Sequence, residues 1–295
     1  MAEFFQQVVA GLATGSIFAA LALALVLIHR ATGIVNFAQG EMGMFCTFIA
    51  WALITHHGLP YWWAFAITLV IAFLGGAATY KVIIQPLSRT GELTVVMATI
   101  ALLIILNGLV GWIWSPEVKF LDNPFPLKVL HVGGVVINVQ DLGVIGVSLL
   151  CVAIVFVFFR FTRLGLQMRA SAVGPATSRL LGIRVAMMLA IGWGLAAMLS
   201  AVSGIMAASQ LPFDPNFMLI ILTYAFAAAV LGGIDSPIGS VVGAFIIGVG
   251  ISLLTGYASS FLGTELQLPL ALAVLMLVLI VRPAGLFGQV VVRRV

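Results

Sequence analysis

Charge is scarce in this chain. Of its 295 residues only 7% are Asp, Glu, Lys or Arg, against about 25% in a soluble domain. With 63% hydrophobic residues and a mean hydropathy of +1.24, too few polar groups remain to cover a water-soluble fold, and that class is excluded. Cysteine is rare too. Cys46 and Cys151 both fall inside apolar runs, so they read as two buried free thiols, not a disulfide framework. The lysines are Lys81, Lys119 and Lys128, and none follows a glycine. The Gly-Lys-Ser/Thr end of a phosphate-binding loop is therefore missing, and the chain cannot supply that ATPase site itself. His29, His56, His57 and His131 sit near the ends of apolar runs or in a loop. No metal site is expected of them, and no Ser-His-Asp or Cys-His grouping suggests an enzyme. The opening "MAEFFQQ" lacks the positive region and small-residue cleavage site of a signal peptide, so the first apolar run reads as a retained helix.

What is present is long apolar sequence. Runs such as "IFAALALALVLI" are apolar at every position, which rules out the alternation of a transmembrane barrel. A spanning helix needs about 20 apolar residues. Candidates are 8–28, 36–56, 62–84, 94–114, 142–160, 186–208, 217–232, 237–255 and 266–281. The seventh and ninth are short and could be tilted, broken or re-entrant. If successive loops alternate sides, eleven cations fall on one face: Arg30, Lys81, Arg89, Arg160, Arg163, Arg169, Arg179, Arg184, Arg282, Arg293 and Arg294. Only Lys119 and Lys128 fall on the other. The excess marks the cytoplasmic side. The expected fold is an all-α polytopic membrane protein of about nine (8–10) transmembrane helices, with N-terminus outside and C-terminus cytoplasmic. The net charge of +4 is then a matter of topology; the partner it implies is membrane lipid, with no nucleic acid.

Residues 1–295 read as one transmembrane domain with two longer loops. Segment 115–141 lies outside, and its "VVINV" suggests a small strand pair or an interfacial stretch. Segment 161–185 lies inside and is basic, and "ATSRLLG" reads as a short helix begun after Pro175 and ended at Gly182. Gly192, Ala196, Ser200, Gly204 and Ala208 recur every four residues, which puts them on one helix face. Gly11, Gly15 and Ala19, and Gly239 and Gly243, repeat the pattern. Close helix packing is the first reading, and a sliding or gating contact is its rival.

Polar groups inside apolar sequence are few. In "RATGIVNFAQGEMGMF" (30–45), Asn36, Gln39, Gly40 and Glu41 interrupt the membrane pattern. Asn36 could cap a helix whose first turns welcome Glu41. The rival reading is a broken helix lining a solute path. Asn107 lies deep in the fourth run, as an interhelical hydrogen-bond partner or a path residue. A second interruption, "LGGIDSPIGSVVGAF" (231–245), carries Asp235 and Ser236. It shares with the first a Gly-Ile opening, one or two polar residues and then glycines, and suggests an internal repeat with broken helices.

Three stretches together resemble the membrane permease subunit of branched-chain amino acid ABC importers: "TGIVNFAQGEMGM" (32–44), "MRASAVGPATSRLLGIRV" (168–185) and "AFAAAVLGGIDSPIGSVVGAFIIG" (225–248). The opening "GLATGSIFAALALALVLI" is similar to the family's first helix. The likeness runs over nearly the whole chain and is closer to the permease with a short N-terminus than to its longer partner. It implies a multi-pass protein of the cell inner membrane. The partners it implies are a second permease, identical or not, two cytoplasmic ATPases and an extracytoplasmic solute-binding protein. ATP and magnesium would be used by the ATPases, with no cofactor bound by this chain. Asn36, Gln39, Gly40, Glu41, Asn107, Asp235 and Ser236 would line the solute path near its cytoplasmic side. Segment 161–185 would couple to an ATPase through Arg169, Pro175, Ala176, Arg179, Leu181 and Gly182. Branched-chain amino acids lead as solute, while urea, short-chain amides and other amino acids remain open. A lone ion-coupled transporter or channel is the competing class, although such proteins carry more intramembrane ionisable groups than Glu41.

Overall fold

The computed structural model describes residues 2–262 apart from 89, 127, 133 and 134, and only isolated positions between 269 and 288. Most of the expected ninth run (266–281) falls outside the described residues. So do Arg89, Glu265, Arg293 and Arg294.

Helix α1 (Ala2–Thr32) is apolar on every side, and every residue from Gly15 to Ile28 is buried. A helix without a polar face has to be surrounded. It is enclosed by α6 (Val139–Phe161), α9 (Val185–Ala208), α10 (Phe217–Gly232) and α11 (Pro237–Leu262). Helices α2 (Gln39–Thr55) and α3 (Tyr61–Thr79) pack on another side of α9, and α5 (Glu92–Trp114) flanks α2. Away from these seams the surface is apolar: Leu93, Ile104, Trp112, Leu150 and Ile154 are all exposed. That inverts the pattern of a soluble protein and suits hydrocarbon as solvent.

Among the described residues six helices are long and apolar enough to cross a membrane: Ala2–Thr32, Tyr61–Leu87, Glu92–Trp114, Val139–Phe161, Val185–Ala208 and Pro237–Tyr257. The seventh run is one unbroken helix, α10, of 16 residues, about 24 Å long. The third crossing changes pitch near its end. It passes from α3 through a π-helical turn, Tyr80–Ile84, into α4 (Gln85–Leu87). Pro86 lacks an N–H for the carbonyl four residues earlier, and the wider turn before it accommodates its ring.

The strand pair suggested for segment 115–141 is present, while segment 161–185 departs from the single short helix expected there. Segment 115–141 holds the antiparallel hairpin β1 (Val129–Val132) and β2 (Val135–Asn138), with α6 starting at Val139. Lys119 pairs through its backbone with Phe213. Segment 161–185 contains not one short helix but two, α7 (Arg163–Val173) and α8 (Pro175–Leu180). The extra helix starts because the Thr162 hydroxyl accepts the Gly165 N–H at 3.0 Å, a side-chain cap. Gly182 ends the pair at φ +80°, a left-handed position suited to glycine.

The stripe on α9 lies against α2. A Cβ on Gly43 would sit 2.6 Å from the Ser200 carbonyl oxygen, and one on Gly204 would strike the Thr47 hydroxyl. Ala196 is buried at 0% exposure, while Gly192 faces Met168 of α7. A second seam, which spacing by four did not single out, joins Gly76 of α3 to Trp193 and Ala197.

Candidate functional site

Helix α1 ends where Gly33 takes φ +74°. The chain then turns back into the bundle. Phe37 N donates to Thr99 Oγ1 of α5 at 3.4 Å, which holds the return strand beside that helix. Asn36 does not cap α2: the cap position is Ala38, without a side-chain hydrogen bond, and the helix begins at Gln39, not at 36. Instead Asn36 closes a local turn, its Oδ1 accepting from Ala38 N at 3.1 Å. Its Nδ2 donates to Gln39 Oε1 at 2.8 Å. Gln39 Nε2 passes the chain on to Ser200 Oγ of α9 at 2.5 Å. Ser200 in turn donates to the Ala196 carbonyl. All three side chains are fully buried, so each has to find partners inside the protein.

Glu41 lies two residues further along α2, also with no exposed surface. Asn107 Nδ2 donates to its Oε2 at 3.5 Å, and to the Pro215 carbonyl at 2.9 Å and Asn216 Oδ1 at 3.2 Å. Among the described residues Glu41 Oε1 has no hydrogen-bond partner. A buried carboxyl oxygen without a donor is costly unless a bound group satisfies it. Gly40 allows the approach of α10, since a Cβ there would sit 3.1 Å from Leu222.

Four of the expected path residues thus fall in two hydrogen-bonded sets on different sides of α2: Asn36 and Gln39 against Ser200 of α9, and Glu41 against Asn107 of α5, with Gly40 facing Leu222 of α10. The first set lies well along α9. Ser200 is the sixteenth residue of α9, about 22 Å along that helix from its arginine-rich end, not near the end itself. Asp235 and Ser236 belong to neither set. They sit in the α10–α11 turn, where Asp235 Oδ1 is 3.9 Å from His29 Nε2 at the end of α1. Ser236 Oγ accepts from Gly239 N. Thr99, Ser200, Pro215 and Asn216 were missed as site residues. Ser200 had been read only as a small packing residue, and "DPN" at 214–216 was a turn signal with no hint of what it faces.

At the arginine-rich end Arg169 Nη2 donates to the Arg160 carbonyl. Pro175 and Arg179 line a 730 Å³ cavity together with Tyr80, Ile84 and Val185. This cavity connects the α8 helix to the π turn. Val173, Leu180 and Leu181 at the α7–α8 tip are 91%, 88% and 75% exposed, and Ala176 is exposed as well. Among the described residues no group of three His, Cys, Asp or Glu could hold a metal ion.

The family model for the permease component of branched-chain amino acid transport systems matches residues 7–281. The chain is 28% identical over 306 residues to the high-affinity branched-chain amino acid transport system permease protein BraD of Pseudomonas aeruginosa, covering 99% of this chain and 98% of the relative. It is 28% identical over 305 residues to LivH of Escherichia coli, a permease protein of the same description, with the same coverage. Among solved structures, PsaBC from Streptococcus pneumoniae in complex with Fab aligns with a TM-score of 0.49 and 14% identity, covering 91% of this chain and 89% of that one.

Proposed function

The chain belongs to the permease components of branched-chain amino acid transport systems, and we propose that it forms one half of the solute path in an ATP-driven importer of those amino acids. It is a multi-pass protein of the cell inner membrane and a transport subunit. The observation that carries the path assignment is the break between α1 and α2. It delivers Asn36, Gln39 and Glu41 to the middle of an apolar bundle, against Ser200 and Asn107. Broken helices and buried polar groups at mid-depth are what a solute path requires. An amino acid crossing there meets a carboxyl oxygen and amide groups that can replace part of its hydration, while the surrounding wall suits its apolar side chain.

The excess of arginine supports a cytoplasmic position for the end carrying Arg30, Arg160, Arg169 and Arg179. There the apolar tip formed by Val173, Leu180 and Leu181 docks into a groove on an ATPase subunit. Arg169, Pro175, Ala176, Arg179 and Gly182 shape that coupling segment. ATP binding with magnesium closes the two ATPases, and the coupling segments carry the motion past the Pro175–Arg179 cavity to the π turn at Tyr80–Ile84. Two permease chains enclose the path, and an extracytoplasmic binding protein delivers the solute. This chain holds no cofactor of its own.

The test is uptake of labelled leucine and urea into proteoliposomes containing the chain with its permease, ATPase and binding-protein partners and internal ATP. Leucine uptake that requires ATP and binding protein is the expected result. Uptake by this chain alone on an ion gradient would overturn it. In the same assay Glu41→Gln keeps the shape of the site and is expected to lower uptake by about tenfold or more, since a factor of ten corresponds to about 1.4 kcal/mol. Unchanged uptake would remove Glu41 from the path.

A further inference from the structure

We infer that a second cavity, at the arginine-rich end of α1 and outside the solute path, binds the phosphate of an anionic phospholipid headgroup. The cavity measures 710 Å³, within the roughly 300–1,000 Å³ of ligand pockets. Its inner wall is apolar, formed by Leu23 and Leu27 of α1 with Val155 and Phe159 of α6, all buried. Its mouth is cationic, formed by Arg30, Arg160 and Arg169 beside His29. Asp235 is the acidic group lining it, and it lies 3.9 Å from His29. Among the described residues none of the three arginines has a carboxylate within salt-bridge distance. The cavity is therefore net positive with Asp235 counted.

Three details point to an anion. Arg169 Nε is buried and, among the described residues, has no hydrogen-bond partner, so a donor at the site lacks an acceptor. The first residues of α11, Pro237 and Ile238, line the cavity. The start of this 26-residue helix adds the positive end of its dipole. Arg160 rests its guanidinium 6.0 and 5.8 Å over the rings of Phe156 and Phe161, and that contact occupies the flat face and not the N–H edge.

The apolar wall separates a lipid from free phosphate. A soluble anion would use only the mouth, whereas Leu23, Leu27, Val155 and Phe159 offer an acyl chain a continuous surface. Basic pockets between helices on the cytoplasmic side hold lipid headgroups by this combination. The cavity is also set apart from the ATPase tip: Pro175 and Arg179 line the other cavity, and only Gly33 and Ala172 border both. A lipid here would seat α1, α6 and α11 against one another without covering α8.

The test uses the assembled complex in detergent, with retained phosphatidylglycerol and phosphatidylcholine counted by native mass spectrometry. Phosphatidylglycerol is expected to be retained about tenfold over phosphatidylcholine. The R30Q/R160Q double variant is expected to lose that preference, while Arg163→Gln, on the same face but outside the cavity, keeps it. Single variants R30Q and R160Q, each losing part of the preference, serve if the double variant does not assemble. Displacement of the lipid by inorganic phosphate would assign the site to a soluble anion and overturn the lipid as ligand. Equal retention of both lipids, or an unchanged double variant, would overturn the site altogether. Neither outcome bears on leucine uptake through the Glu41 cluster, so the two readings fail separately.

Discussion

The links 33–38 and 233–236 begin alike and end in opposite surroundings. Each opens with a glycine at positive φ, Gly33 at +74° and Gly233 at +105°, followed by isoleucine, polar residues and a new helix. The first turns back between α5 and α9, and its Asn36, Gln39 and Glu41 have no exposed surface. The second stays at the end of the bundle, where the Asp235 side chain is 60% exposed. What receives each link makes the difference. Thr99, Ser200 and Asn107 offer the first hydrogen-bonding partners inside the bundle. The second is held shut by the contact of Gly232 with Gly239, and Leu231 and Gly232 accept from the backbone of Leu286 and Phe287. The same local chemistry serves as a site in one place and as a helix hairpin in the other.

The strongest way to break this contrast is Gly43→Leu. Its side chain would meet the Ser200 carbonyl, which is backbone and cannot rotate away. Overpacking costs about 1–3 kcal/mol, and more against backbone, so the first link is expected to lose its seat and the complex to fail to assemble. Size-exclusion of the tagged complex reads this directly, and a normally assembled Gly43→Leu protein would mean that the α2–α9 seam yields.

Gln39→Ala acts on the hydrogen bonds rather than the seam. It leaves the Asn36 amide without its Gln39 acceptor and removes the Ser200 contact. The expected loss is about 1–3 kcal/mol of stability. A double-mutant cycle with Ser200→Ala should show coupling, and strictly additive thermal shifts would show that the two side chains act independently. Ser236→Ala tests the second link and should do least. It removes only the hydroxyl that accepts from Gly239 N at the start of α11, worth about 1 kcal/mol. If its melting temperature fell further than that of Gln39→Ala, the ranking of the two links would be reversed.

Much of the helical order was legible in the residues. The runs at 94–114, 186–208 and 217–232 lie within two residues of helices Glu92–Trp114, Val185–Ala208 and Phe217–Gly232, because unbroken apolar stretches leave the backbone little alternative in a membrane. Pro175 and Gly182 bracketed α8 through their own backbone preferences. Helix α7 was not legible: "RLGLQMRASAV" is mixed in polarity, and its start depends on one threonine hydroxyl. How far the first link turns inward was not legible, because a polar stretch after Arg30 looks the same whether it stays at the membrane edge or folds into the bundle.

Composition and periodicity alone determined that this is a helical membrane protein, and where most of its helices run. Those properties follow from solvation of each segment by itself, which depends on residues close in sequence. The tertiary structure decided that Gln39 meets Ser200, 161 positions away, and that Asp235 faces His29 instead of Glu41. Such meetings are set by how the helices pack, and packing depends on the shapes of many distant side chains at once, with glycine seams such as Gly43 on Ser200 selecting which backbones can touch.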